Sequence, residues 1–239
     1  MKGTTPPGVQ TEHQAAEYVR DMFARVAPRY DLLNHLLSFN VDRYWRAQTV
    51  RRVRHMLTPN ARVIDLCCGT GDLTIALQQA GRAVVFGSDF CHPMLVAARR
   101  KSPGVDRYFE ADTLRLPIVD GSVDLVSAAF GFRNLANYDD GLKEMRRVLR
   151  TGGMAAILEF SQPPNPAVAS IYGLYSRRIL PAIGGAISGS KDAYRYLPES
   201  VRKFPDAEEL AERMRAAGFR EVRFERMTFG VVVLHLGMV

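Results

Sequence analysis

The segment DLCCGTGD, residues 65–72, sets two glycines and a threonine between two aspartates. Gly69 and Gly71 permit positive φ angles and let a ligand come close to the backbone. Thr70 adds a hydroxyl between them, and Asp65 closes the apolar run before the turn. A dinucleotide turn of the form G-x-G-x-x-G needs a third glycine, but position 74 is a threonine. A side chain there crowds helix against strand. Asp89 ends the next apolar run, and a carboxylate about twenty residues after such a loop can accept from both ribose hydroxyls of an adenosine ligand. Asp112 and Thr113 open DTLRLP after a third run, where a carboxylate suits an adenine amino group and the Thr113 N–H a ring nitrogen.

The elements that must carry these groups follow from the hydrophobic period. Residues 61–67, 83–89, 106–112, 123–132 and 154–160 read as short strands. Residues 73–81, 93–101 and 138–150 read as the helices between them, the first stopped by Gly81. Strands alternating with helices predict a parallel sheet covered on both faces. A helix over 208–219 precedes two strands in EVRFERMTFGVVVLHLGMV, too close together for a parallel crossover. The expected fold is therefore α/β, a Rossmann-like seven-stranded sheet whose last strand is antiparallel.

Ahead of the sheet, residues 1–10 are Gly/Pro/Thr-rich and are expected to lack order. Residues 11–58 read as a helical cap: one helix from Thr11 ended by Pro28, a short one from Tyr30 to Leu37, and one from Asp42 to Leu57. Asp42 is the expected N-cap of the last. Residues 59–239 form the sheet domain, with an apolar, small-residue-rich insert at about 162–204.

The 239 residues are 47% hydrophobic and 24% charged, enough for a buried core in a soluble protein. No apolar run is long enough for a transmembrane helix, and MKGTTPPGVQTEHQ lacks the apolar centre of a signal peptide. The expected location is the cytoplasm. Cys67, Cys68 and Cys91 are an odd set, two of them adjacent, and have no metal-ligand spacing. Neither disulfides nor a metal site is expected. The net charge of +7 includes Arg43, Arg46, Arg51, Arg52, Arg54 and Arg62 in one stretch. Such a stretch reads as a solvated helix face, or as a contact with nucleic acid or an anionic membrane.

The loop with Asp89 and Asp112 resembles the S-adenosylmethionine-dependent methyltransferase class, although Cys67 stands where that loop usually has its first glycine. YDLLN (30–34), Ser38, Trp45, DLCCGTGD, FGFRN (130–134), RVLRTGG (147–153), LEFSQP (158–163) and TFGVVVLHLG (228–237) follow in order. Together they resemble the ubiquinone/menaquinone biosynthesis C-methyltransferase family over about residues 18–237. Four positions depart from its pattern: Asp42 for a usual His, Asn40 for Gly, Thr151 for Pro, and Ala129 for Ser.

The resemblance implies methyl transfer from S-adenosylmethionine to a ring carbon of a prenylated quinol, demethylmenaquinol first and the ubiquinone-pathway benzoquinol as alternative. Arg133 is then the main catalytic candidate, able to hold a phenolate or orient a basic water. Tyr30 and Asn134 join it. Asp31, Asn34 and Glu159 are expected at the substrate, and Asn134 can instead cap helix 138–150. His35 is a possible base, read more simply as structural. The insert reads as a packing helix or as a lid for the isoprenoid tail, with Arg177 and Arg178 towards lipid headgroups. A homo-oligomer is left open. A scaffold that keeps the fold without the reaction, and an RNA methyltransferase, are the competing classes. The latter lacks a recognition module and the N/D-P-P-[FY] motif, since strand four ends in AAFGFRN. No nucleic acid partner is expected.

Overall fold

The computed structural model describes residues 3–102, 107–179 and 191–239, with the side chains of residues 177, 179 and 191–195 outside that set. Its centre is a seven-stranded sheet of order β3-β2-β1-β4-β5-β7-β6. The strands are β1 (Arg62–Leu66), β2 (Val84–Asp89), β3 (Tyr108–Glu110), β4 (Val123–Ala129), β5 (Leu149–Phe160), β6 (Arg220–Met227) and β7 (Val232–Met238). The first five pair in parallel, and β7 runs antiparallel to both β5 and β6. Strand order reverses between β1 and β4, the place where open α/β sheets bind ligands at their carboxyl edge.

Alternating side chains feed two cores. Val63, Leu125, Ala156 and Leu158 face α3 (Val41–Val53) and α4 (Asp72–Ala80). Ile64, Val126, Ala155 and Ile157 face α6 (Tyr138–Val148) and the helix Ala207–Ala216. Neighbouring residues thus point to opposite faces, as a pleated strand buried on both sides requires. α5 (His92–Lys101) packs beside β2 and β3.

The cap is α1 (Glu12–Val26), α2 (Tyr30–Leu37) and α3. Thr11 and Gln14 form a reciprocal capping box that satisfies orphan donors at the start of α1. Val26 and Ala27 pack on Cys91 and Met94 of α5 and its cap, while Val19 and Met22 meet Tyr196. The insert supplies α7 (Pro166–Leu174), a wider turn at Tyr175–Ile179, and α8 (Lys191–Lys203); the helix Ala207–Ala216 is α9. Leu33 and Leu37 of α2 close against Tyr175 and Leu197 of the insert. The central apolar part of the insert, 180–190, lies outside the described residues, as does the side chain of Arg177.

Three expectations need correction. Residues 3–10 do not simply trail: Thr4 is buried, its N–H donates to Leu135 O at 2.8 Å, and its hydroxyl lies 2.7 Å from Tyr196 Oη. Asp42 is not an N-cap. Asn40, at φ 61°, precedes α3, and Asp42 lies inside the first turn with its carboxylate committed elsewhere. Asn tolerates this left-handed geometry better than most residues, which suits its substitution for glycine there. The arginine stretch is a solvated face only in part: Arg43, Arg51 and Arg54 are exposed, but Arg46 pairs with Asp42, Arg52 with Glu225, and Arg62 starts β1 near Asp124.

Candidate active site

Two cavities meet at the carboxyl edge. The first is lined by Gly69, Asp89, Asp112, Thr113, Gly131 and Asn134 among others. Its backbone explains the residue types. Gly69 and Gly71 take φ values of 55° and 85°, and a Cβ on Gly71 would stand 2.7 Å from Tyr108 Oη. Cys67 also takes a positive φ, 49°, so the chain adopts a glycine-like turn without the glycine. Gly131 passes so close that a Cβ would lie 2.3 Å from that of Cys67.

The carboxylates divide the work. Asp89 accepts from the Gly69 and Cys91 N–H groups, both at 2.9 Å, fixing the loop to the end of β2. Burial pushes its pKa up to about 6. Asp65 accepts from Thr74 and Ser127 hydroxyls at 2.7 Å each, and burial pushes it too up to about 6. Thr74 therefore has a positive use: it holds Asp65 beneath the loop. Asp112 is exposed, and its carboxylate accepts from Leu114 N–H. Thr113 is buried beside Cys67. Burial pushes the Cys67 and Cys68 thiols well above their usual range, which fits packing rather than nucleophilic use.

The second cavity lies between α2, α3, the insert and the turn before β7. Tyr30, Asn34, Ser38, Asp42, Arg46 and Arg133 are its polar lining, within apolar walls that include Trp45, Phe130 and Phe160. Arg133 is buried in a 3-10 turn after β4. Its Nη1 donates to Glu159 Oε1 at 2.7 Å, and its guanidinium lies 5.4 Å from the centre of the Phe160 ring. Burial opposes its charge, but Glu159 together with Tyr196 and Tyr30 outweighs it and raises its pKa. Tyr30 lines both cavities. Burial raises its pKa, against the pull of the Asn34 hydrogen bond and of the Arg133 and Arg46 charges.

Three candidates stand elsewhere than expected. Glu159 is 1% exposed and accepts from Arg133 and the Phe160 N–H, so it holds the arginine rather than meeting a substrate. Asp31 turns to the cofactor loop, accepting from the Thr70 hydroxyl and, at 2.8 Å, from Lys101. Asn134 is neither in the second cavity nor a helix cap. It lines the first and accepts from Tyr196 Oη at 3.0 Å, while Asn137 caps α6.

Sequence reading missed Arg46, Ser38 and Lys101. Ser38, Asp42 and Arg46 are spaced four apart, a signal for one polar helix face. Ser38 donates to Asp42 Oδ1 at 2.6 Å, His35 Nδ1 lies 2.9 Å from Oδ2, and Arg46 donates to Oδ2. Arg46 also reaches Asp72 at 3.5 Å, and Lys101 bridges Asp72 to Asp31. Burial pushes Asp42 up, but Ser38 and Arg46 together outweigh it and hold the carboxyl below its usual range. Among the described residues His35, Asp42 and Asp72 group closely enough to suggest a metal. Arg46 and Lys101 already neutralise those carboxylates.

A Gly-rich loop under a switch point, a carboxylate ending β2, an exposed acid after β3 and a reversed last strand define the S-adenosylmethionine-dependent methyltransferase class. The first cavity brings Gly69, Asp89, Asp112 and Thr113 together at the carboxyl edge of the sheet. Residues 10–239 match the ubiE/COQ5 methyltransferase family, and the chain belongs to it. S-adenosylmethionine is its methyl donor. The chain is 50% identical over 220 residues to a demethylmenaquinone methyltransferase of Thermus thermophilus, covering 90% of this chain and 99% of that one. It is 45% identical to that of Deinococcus radiodurans over 99% of both chains. A ubiquinone/menaquinone biosynthesis C-methyltransferase of Syntrophotalea carbinolica is 43% identical over 95% of this chain and 96% of its own. Among solved structures, a SAM-dependent methyltransferase of Thermotoga maritima superposes with a TM-score of 0.64 at 20% identity, covering 91% of this chain and 98% of its own. The [4+2]-cyclase SpnF does so at 0.68 and 16% identity, over 98% of both chains. These two likenesses show the fold alone, and a cyclase among them shows that fold does not dictate reaction.

Proposed function

We propose that the protein methylates a ring carbon of a prenylated quinol, demethylmenaquinol before the benzoquinol of the ubiquinone pathway. The supporting observation is the pair of cavities that share Tyr30 and Phe130, one against the Gly-rich loop and its acids, the other apolar-walled with a buried arginine. The bound cofactor supplies an electrophilic methyl group. The chain's own residues must dock the ring against it, exclude water and stabilise a phenolate, because loss of a hydroxyl proton makes the ring carbon nucleophilic. Arg133, fixed by Glu159, supplies a permanent cation for that phenolate. Tyr30 and Asn34 orient the ring from α2. The names of the relatives in Thermus and Deinococcus favour the naphthoquinol.

The mouth of the second cavity supports a lipid tail and contact with a membrane surface. Phe39, Ile171, Leu174 and Phe229 are 75%, 72%, 52% and 80% exposed, and Leu32, Leu36 and Tyr44 are exposed nearby in sequence on α2 and α3. They flank cavity residues Ser38, Tyr172, Tyr175 and Thr228. Arg43 and Arg178 are exposed in the same segments, where Asp31 and Asp42 are already paired. No helix among the described residues is long and apolar enough to cross a membrane. An apolar rim with basic flanks suits peripheral contact with anionic lipid.

Purified protein given labelled S-adenosylmethionine with short-chain demethylmenaquinol or the matching benzoquinol tests the reaction. Transfer to the naphthoquinol is expected. Transfer to neither, with cofactor binding intact, removes the enzyme reading and leaves the scaffold. Flotation with vesicles containing phosphatidylglycerol tests the rim, where Phe39→Ser and Phe229→Ser should reduce binding.

A further inference from the structure

The second cavity carries two polar corners of opposite character. At one, Arg133 offers only donors. At the other, Asp42 offers only acceptors, and the Ser38 hydroxyl proton is already directed at Asp42 Oδ1. A carboxylate has about four acceptor positions. His35 and Arg46 lie on Oδ2 and Ser38 on Oδ1, so Oδ1 keeps room for one further donor. Ser38 in turn keeps acceptor lone pairs. Both residues line the cavity that also holds Arg133. No tail or membrane group needs a buried carboxylate at this place, yet three polar partners, Ser38, His35 and Arg46, are gathered to keep one there.

We infer that Asp42, set by Ser38, is the residue that selects the reduced quinol over the oxidised quinone, by accepting a hydrogen bond from the ring hydroxyl that stays protonated. This rests on the quinol reading above. A quinol presents hydroxyl donors; a quinone presents two carbonyl oxygens and no donor. At Arg133 either form is accommodated. At Asp42 Oδ1 a carbonyl oxygen meets a carboxylate oxygen with no proton between them, while Arg46, which also lines the cavity, is already engaged by Asp42 Oδ2 and Asp72. Sites built to hydrogen-bond a particular hydroxyl reject the analogue lacking it far more strongly than apolar pockets reject a misfit. The low pKa of Asp42 keeps the acceptor in place at neutral pH. The same hydrogen bond pushes electron density into the ring while the other oxygen is held as a phenolate, which favours attack through carbon. It also removes an unproductive competitor, since a quinone carbon is electron-poor.

Trp45 is the chain's one tryptophan and lines this cavity, so its fluorescence reports occupancy. Short-chain demethylmenaquinone would be titrated in oxidised and dithionite-reduced forms, with S-adenosylhomocysteine present. The wild-type protein should bind the reduced form at least about tenfold more tightly. In Asp42→Asn, whose amide can donate to a carbonyl, the ratio should fall by about tenfold while S-adenosylhomocysteine affinity is unchanged. Equal binding of both forms by the wild type, or an unchanged ratio in the variant, overturns the inference. If the variant does not fold, the two monomethyl ethers of the quinol decide the matter on wild-type protein. One ether should bind at least about tenfold more weakly than the quinol; if both bind as the quinol does, Asp42 reads no donor. Methyl transfer by the wild type with an indifferent ratio sinks this inference alone, whereas selective binding without transfer sinks the reaction and spares it.

Discussion

Asp89 in the first cavity and Asp42 in the second are both nearly buried carboxylates, at 7% and 4% exposure, and they are kept by different means. Asp89 is held by backbone N–H groups of the loop and of the β2–α5 turn, and burial lifts its pKa to about 6. Asp42 is held by side chains, Ser38, His35 and Arg46, and stays below its usual range. The cofactor side is thus a product of chain geometry, set by strand ends and positive-φ turns. The acceptor side is a product of ion pairs on mobile-length side chains, and a single substitution can alter its chemistry without moving the sheet. The lesson is that the two ligands should respond to different perturbations.

The largest expected effect is at Arg133, where the two means of support meet. Arg133→Ala should lower turnover by about 10²–10³-fold, by analogy with loss of other charge-stabilising groups. It should also cost about 3–5 kcal/mol of stability in a denaturant titration, because Glu159 is left buried and unpaired. Adding Glu159→Gln should restore much of that stability and none of the turnover. Recovery of both would make Arg133 a structural ion pair only.

Asp89→Ala comes next and belongs to the cofactor side. S-adenosylhomocysteine affinity measured by calorimetry should drop at least about tenfold, the cost of losing ribose hydrogen bonds to a buried acceptor. In the wild type the same affinity should weaken as pH falls through about 6, since a protonated Asp89 accepts less well. Stability follows the opposite sign. Between an unfolded pKa of about 3.9 and the folded value of about 6, the folded state binds more protons, so Asp89 and Asp65 favour folding more as pH falls through that window. A pH-independent cofactor affinity from 5 to 8 would contradict this assignment.

Gly71→Ala tests geometry alone. Its φ of 85° and the 2.7 Å approach to Tyr108 Oη should cost about 1–3 kcal/mol in thermal unfolding. The smallest effect is at Lys101→Ala, which cuts the bridge from Asp31 to Asp72. That pair of contacts is partly solvent-exposed, so the stability change should stay within about 1 kcal/mol. Any larger loss would show the cap and the cofactor loop to be one cooperative unit.

Much of the cofactor side was legible in the sequence because it depends on local order. Apolar runs, Gly-rich turns and the acids that end strands lie within a few residues of one another. The reversed last strand followed from the short break before Val232. Even so β3 is shorter than the run 106–112 suggests, since among the described residues Tyr108–Glu110 are the ones that pair with β2. β5 begins at Leu149, earlier than the apolar run, because its first residue pairs with Val123 across a register shift. The acceptor side was harder. Asp42 looks like a cap from its position, and although Ser38 stands four residues before it, only the fold brings His35 onto its carboxylate as well. Glu159 and Asp31 carry the right chemistry for a substrate contact, but their partners, Arg133 and Lys101, are 26 and 70 residues away. Thr4 could not be foreseen at all, as its partners lie near residues 135 and 196.

Tyr30 borders both cavities and also the loop space beside Asp65 and Thr70. With Phe130, which also lines both cavities, its ring forms a shared wall between the two compartments. Changing its size alters the room for both ligands together, so acceptor scope cannot be widened at this position independently of donor affinity. Evolutionary or laboratory changes of substrate have an open route at Leu37, Phe39, Tyr172 and Val231, which line only the acceptor side or its neighbour in the insert. At Tyr30 any such change needs a compensating one across the partition.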